Sequence, residues 1–206
     1  SYLGTEFTQK EIEAELNSLG ANYQTFNYED LINKTAELLS NEKAIGWFQG
    51  RMEFGPRALG GRSILGDPRS KSMQKNLNLK VKYRESFRPF APSVLKDYAE
   101  EIFDDYVDSY YMEKVLKVKE SWQRKIPAVV HFDQTARVQT VTEEINKPFF
   151  DLISAFNELT GIPLIVNTSF NLNGEPNVET PRDAIRTFYS CGLDYLLLGP
   201  YLISKK

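Results

Sequence analysis

Ala44-Ile45-Gly46-Trp47-Phe48 runs without a break into Gln49-Gly50-Arg51-Met52-Glu53-Phe54-Gly55-Pro56-Arg57. The first five residues are apolar or glycine, the pattern of a short buried strand. The next nine mix Gly, Pro and Arg, which reads as a loop of special backbone geometry. Working upstream, Thr8 and Glu11 have the spacing of a capping box, with Ile12, Leu16 and Leu19 on one helical face and Gly20 as a stop. Residues 23–26 read as a short strand and 28–40 as a second helix. Downstream, the pattern predicts a helix at about 70–78, a strand at 90–95 and a short helix at 97–103. Lys114 to Lys119 alternates like a half-exposed strand, and 128–130 and 136–141 are further strand candidates. Residues 149–159 form an amphipathic helix closed by Gly161, and 163–166 a short apolar strand. Thr180 and Pro181 open another helix, and 194–198 and 201–204 end the chain as strands. Strands and helices mixed without strict alternation predict an α/β (α+β) fold around one twisted mixed β-sheet flanked by helices.

Composition narrows the function classes. Of 206 residues, 41% are apolar and 26% charged, which suits a globular chain with a real core and excludes a disordered tail. No apolar run approaches the ~20 residues of a membrane helix. Ser1-Tyr2-Leu3-Gly4 has neither a basic nor a hydrophobic leader character, and the missing initiator Met points to a fragment or processed chain. Cys191 is the only cysteine and His131 the only histidine, so an internal disulfide and a cysteine-rich metal cluster are excluded. These features predict a reduced, cytoplasmic setting. Net charge is −3, yet residues 51–88 hold ten cations against three acids, a local +7 that leaves −10 for the rest. A cationic block inside an acidic chain points to a confined anionic ligand rather than a duplex-coating surface.

Four segments carry the chemistry-bearing residues. In the first, residues 50–63, four glycines let the backbone approach a ligand, and Arg51, Arg57 and Arg62 offer forked donors for phosphate or carboxylate. Its glycine spacing fits neither a P-loop nor a dinucleotide fingerprint. The alternative is a turn-rich loop with solvated arginines. The second is residues 78–92. As an extended segment it would place Lys80, Lys82, Arg84, Ser86 and Arg88 on one face, awaiting an anion, or else form an edge strand guarded by lysines. Arg88, between Phe87 and Pro89, is expected to be partly buried. The third, residues 131–141, places Arg137 in an alternating strand, with His131 the kind of lone histidine that is usually structural. The fourth, residues 167–176, sets Asn167, Ser169 and Asn171 at the end of a buried strand, where α/β sheets place ligand contacts and where capped turns also occur. One histidine and no Gly-X-Ser-X-Gly elbow exclude a serine triad.

Taken together, residues 46–60, 81–92, 135–141 and 167–171 closely resemble the C-terminal domain of the NodU/CmcH/TobZ family of carbamoyltransferases. The motifs are long, fall in order and span roughly 45–203. The resemblance implies a connector with N-terminal helices at 1–42 and a YrdC-like domain at 43–206. It implies formation of carbamoyl-adenylate from carbamoyl phosphate and ATP, Mg²⁺ accompanying ATP, and no metal ligated tightly by this chain. Transfer to a hydroxyl would fall to an N-terminal Kae1-like domain that nothing in this sequence matches. Carried over position by position, Lys82 and Arg88 match basic carbamoyl-phosphate contacts and Arg137 the strand arginine. Asn167 and Ser169 match the polar pair at the strand end, and Arg57 and Arg51 the loop near the phosphates. Lys82, Arg88 and Arg137 are the implied catalytic residues. Gln134 departs from the family's usual glycine.

Two other readings compete. A non-catalytic YrdC-like module binding RNA or nucleotide would spread its cations over a wide face and show a steep salt slope. Here cations cluster in Gly- and Pro-rich motifs of a chain with pI near 5.4. A threonylcarbamoyl-adenylate synthase would share the fold class but not the motifs quoted.

Overall fold

The computed structural model describes residues 1–205. Thr8 caps α1 (Gln9–Ser18): its hydroxyl accepts from Glu11 N while the Glu11 carboxylate accepts from Thr8 N. The helix buries Ile12 and Leu16. After β1 (Tyr23–Thr25), Asn27 caps α2 (Tyr28–Ser40), whose buried face includes Leu31, Ile32, Ala36 and Leu39. β2 (Ile45–Phe48) is buried at all four positions, as its apolar run requires.

The first departure from the sequence pattern follows. Residues 62–66 form a buried strand, β3 (Arg62–Gly66), within and just beyond the stretch that reads as loop. It opens on an arginine, which is 0% exposed. The guanidinium carbon of Arg62 lies 3.5 Å from the Phe48 ring centroid, and its amines donate to the carbonyls of Thr5, Gln49, Gly50 and Gly61. Arg62 is therefore a packing and bracing residue, and burial pushes its pKa down to about 10.

The second departure lies at 70–88. Instead of a helix over 70–78 there is α3 (Met73–Asn76), which passes into a π-helical turn at Leu77–Val81. Residues 80–88 are not extended. Leu77 and Val81, four apart, are both buried, so the helical spacing of apolar side chains overrode the two-residue period of the cations. Residues 128–130 are turn rather than strand, with Ala128 N donating to Pro68 O.

The remaining elements are β4 (Ala91–Leu95), α4 (Lys96–Ile102), β5 (Lys114–Lys117), α5 (Glu120–Gln123), β6 (Thr135–Val141), α6 (Lys147–Thr160), β7 (Leu164–Ser169), α7 (Pro181–Ser190), β8 (Tyr195–Leu198) and β9 (Tyr201–Ser204). Among the described residues nine strands form one mixed sheet in the order β1-β9-β8-β2-β3-β7-β4-β6-β5. β2/β8 and β4/β6 are parallel and the other pairs antiparallel. α6 packs on β4 and β7, α2 packs on α6, and α7 packs on β2 and β8. Residues 1–42 share this sheet and core: β1 pairs with β9, and Ile12, Leu16 and Leu39 lie in the main apolar cluster. Residues 1–5 also brace the loop after β2, with Phe54 N donating to Ser1 O and Met52 N to Thr5 O. Among the described residues no helix is long and apolar enough to cross a membrane.

Candidate functional site

Register places the site. Ala91 of β4 stands opposite Asn167 of β7, and Ser93 opposite Gln139 of β6. Two residues back along the parallel β4/β6 pair, Ala91 is level with Arg137. Residues level across a sheet share a face, so Arg137, Ala91 and Asn167 form a row with Gln139 and Ser93 beside them. Alanine in the middle of that row leaves room, and a hollow of about 150 Å³ opens there. Arg57, Arg84, Arg137, Asn167 and Ser169 line it with Phe90 and Met112, and no acid does.

The wall containing Arg57 is built by a carboxylate. Glu53 is 5% exposed, and its Oε1 accepts from the amides of Leu59 at 2.7 Å and Gly61 at 2.6 Å, while both oxygens accept from Arg62 N. The glycines make this possible. Gly60 has φ 103° and lies against the Phe149 ring, where a Cβ would approach within 2.4 Å, and a Cβ on Gly61 would meet Arg51 O at 2.8 Å. The loop is thereby pinned at both ends, and its exposed arch, 54–57, carries Arg57 to the hollow.

Arg137 comes from the strand, half-buried. Burial lowers its pKa, and the like charge of Arg57 lowers it further. Its Nε is buried without a partner. Arg84 comes from the chain after the π-helical turn. Its Nε donates to Asn78 Oδ1 at 2.7 Å and its guanidinium carbon stands 5.1 Å from the centre of the Phe90 ring. Those two contacts fix the plane of the group. Burial, then the like charge of Arg88, lower its pKa.

The expected residues divide accordingly. Arg57, Arg137, Asn167 and Ser169 are brought together at the hollow. Lys82 lies behind its wall, 3% exposed, with Nζ donating to Ser169 O at 2.5 Å, Ser169 Oγ at 3.2 Å, Asn171 O at 3.1 Å and Asn171 Oδ1 at 2.6 Å. Among the described residues no carboxylate is a partner of Lys82, and burial pushes its pKa down to about 7. Arg88 does not reach the hollow. It is exposed rather than partly buried, because no strand turns it inward, and it pairs with Glu85 at 2.9 Å. Arg51 also lies outside, paired with Glu6 at 3.3 Å. His131 sits beside Thr135, its Nδ1 3.4 Å from the hydroxyl.

Glu53, Ser93 and Gln139 are additions that the sequence pattern did not single out, and Arg84 stood there only as one of the cations of residues 78–92. Only Gln139 left a legible signal, being two residues from Arg137 in an alternating strand. A second cleft of about 300 Å³ runs between α1, α2 and β2, lined by Phe7, Ile12, Trp47 and Phe48 among others, and carries no charged group. The arginines gather instead at the smaller hollow.

Comparison with known proteins follows this geometry. Residues 36–205 match the protein family described as Carbamoyltransferase C-terminus. Nodulation protein NolNO of Sinorhizobium fredii is 44% identical over 97% of this chain and 30% of its own length. NolO of Bradyrhizobium diazoefficiens is 44% identical over 94% of this chain and 36% of its own. The chain thus spans about a third of these curated relatives. Among solved structures, HypF of T. kodakarensis superposes with TM-score 0.56 at 20% identity, covering 85% of this chain and 22% of that one. E. coli YciO gives 0.57 at 14% identity, covering 82% and 78%. The shared architecture is YrdC-like.

Proposed function

Because the chain belongs to the carbamoyltransferase C-terminal family, we propose that its hollow takes carbamoyl phosphate and, with ATP, forms carbamoyl-adenylate. An N-terminal Kae1-like domain of the longer protein would pass the carbamoyl group to a hydroxyl. The observation that carries this reading is the convergence of Arg57, Arg84 and Arg137 on one small hollow without an acid. Three cations gathered without an acid favour a multiply charged anion, and the partial burial of Arg84 and Arg137 strengthens their contacts.

The volume assigns the parts. Sites for drug-sized ligands run from about 300 Å³ upward, so about 150 Å³ suits carbamoyl phosphate alone. ATP then lies across the mouth, where Arg88 takes its phosphates on releasing Glu85. Full-length HypF, which shares this fold over 22% of its chain, has been solved in a phosphate- and nucleotide-bound form, in keeping with this pair of ligands. In the reaction, water cleaves carbamoyl phosphate to carbamate and phosphate. A carbamate oxygen then bonds to the α-phosphorus of ATP, and the bond to the bridging oxygen breaks as pyrophosphate leaves with the electron pair. Arginines positioned before the reactants arrive supply charge compensation without reorganisation. The hollow's residues do not fit a protein-held Mg²⁺, since no carboxylate lines it. Mg²⁺ belongs to the ATP phosphates.

Calorimetric titration with carbamoyl phosphate, with and without ATP, tests the reading alongside pyrophosphate release. Saturable binding of carbamoyl phosphate and carbamoyl-phosphate-dependent pyrophosphate release are expected. No binding of either ligand, together with salt-steep RNA binding, would replace it with the nucleic-acid module.

A further inference from the structure

Residues 85–88 run between two residues that line the hollow, Arg84 and Pro89, and belong to no strand or helix. A segment of that kind has no ladder to hold it. Among the described residues the carbonyls of 86–88 find two partners, and both are side-chain amides. Gln74 Nε2 donates to Phe87 O at 3.1 Å and to Arg88 O at 3.0 Å. Asn78 Nδ2 donates to Ser86 O at 3.2 Å and to Arg88 O at 2.8 Å.

The two amides differ in what else they touch. Gln74 is half-buried and holds the segment alone. Asn78 is 0% exposed, and its Oδ1 accepts from Arg84 Nε at 2.7 Å while its main-chain oxygen accepts from Arg84 N at 3.0 Å. One buried side chain therefore grips both the arginine that lines the hollow and the backbone that carries Arg88. Its amide is fully used, and it cannot flip: Arg84 Nε only donates, and the carbonyls of Ser86 and Arg88 only accept. Its backbone is anchored by the π-helical turn, in which Lys82 N donates to Leu77 O at 2.8 Å and Leu77 and Val81 are buried.

We propose that Asn78 is a positioning residue shared by two ligand sites. Through its oxygen it aims Arg84 at the anion in the hollow. Through its nitrogen it holds residues 86–88, and so Arg88, where the nucleotide phosphates come to lie. This rests on the carbamoyl-phosphate and ATP reading above. Arginine is among the side chains with most rotamer freedom to lose, and a ligand that must order it binds less tightly for doing so. An arginine ordered beforehand by the protein spares the ligand that cost. Gln74 serves the nucleotide site only, because it touches the segment and not Arg84.

The test is separate calorimetric titration of the full chain with carbamoyl phosphate and with α,β-methylene-ATP, whose carbon bridge resists cleavage so that binding alone is read. Asn78→Ala should weaken both ligands, each by about 5-fold or more, the scale of one net hydrogen bond. Gln74→Ala should weaken α,β-methylene-ATP by about 3-fold or more and leave carbamoyl phosphate within about 1.5-fold of wild type. The Gln74 variant loses no core contact, so it keeps the proposal open to refutation if the Asn78 variant does not fold. A merely structural Asn78 would lower the number of binding sites and the unfolding midpoint and leave both dissociation constants of the folded fraction unchanged, which overturns the proposal. Weakening of one ligand alone by Asn78→Ala denies the sharing and overturns it, as does a Gln74→Ala that weakens both ligands alike or neither. Wild type that binds carbamoyl phosphate but not α,β-methylene-ATP overturns it too, while leaving the reading of the hollow standing. Failure to bind either ligand removes that reading itself, and the proposal with it.

Discussion

Lys82 offers the sharpest test of the buried wall. Among the described residues its Nζ meets four oxygens and no carboxylate, and burial, then Arg84, push its pKa from 10.5 to about 7. Below that value both folded and unfolded chains hold the proton, and the fold bears the full cost of the buried ammonium. Between about 7 and 10.5 the unfolded chain binds a proton that the native side chain has released, so stability rises with pH across that window. Above 10.5 both are neutral. At 1.36 kcal/mol per pKa unit, the gap sets a ceiling of about 5 kcal/mol on the gain. The four oxygens favour the ammonium and hold the real gain below that ceiling. The assay is denaturant unfolding of wild type and Lys82→Met from pH 6 to 10.5. The variant loses hydrogen bonds at every pH, but that offset is constant. The difference between the two curves isolates the titration, and its upward slope above pH 7 is the expected result. Parallel curves would refute an uncompensated buried amine.

Four further outcomes follow from the same geometry. Arg137→Ala should cost about 2–4 kcal/mol of transition-state stabilisation, read as kcat/KM for carbamoyl phosphate in pyrophosphate release. Arg88→Ala should instead raise KM for ATP, and the reverse pattern would exchange their places. Glu53→Ala strips an acceptor from three buried amides and should destabilise the fold by about 3 kcal/mol or more, measured by chemical denaturation. A loss under about 1 kcal/mol would show that the loop is held by something else. Gln134 has φ 63°, a conformation that costs an L-residue about 1–2 kcal/mol, while glycine's extra freedom in the unfolded chain takes back about 0.5–1 kcal/mol. Gln134→Gly should therefore raise Tm modestly, and a lowered Tm would mean that the exposed hydrogen bond from Gln123 Nε2 to Gln134 Oε1, 3.3 Å long, matters more than the strain.

How much was legible from sequence depended on whether the signal was local. The capping pair Thr8/Glu11, and Thr180 followed by Pro181, mark helix starts by themselves, and both caps form, the second with Asp183 as an unread partner. The alternation around Arg137 placed it correctly on β6. β3 was hidden because Gly60 and Gly61 precede it and Arg62 opens it, and a fully buried arginine stacked on Phe48 has no sequence signature. Residues 80–88 carried two conflicting periods, of charge and of apolar spacing, and only packing chose between them. That choice also decided which arginine faces inward. A strand would have treated Arg84 and Arg88 alike, whereas the turn directs Arg84 to the hollow and leaves Arg88 with Glu85. Glu53 registered only as one negative charge among cations, because its partners six to nine residues on are backbone amides, invisible in any residue pattern.

The like charges of Arg57 and Arg137 facing each other have a practical corollary for the bench. An empty hollow holds mutual repulsion that any small oxyanion relieves, and a guest bound only by the folded state raises the melting temperature in proportion to the logarithm of its concentration. Phosphate or sulfate buffers would therefore report the occupied protein. Variants of the three arginines would then look unstable merely for having lost a buffer ion, and amine buffers with chloride are the appropriate baseline.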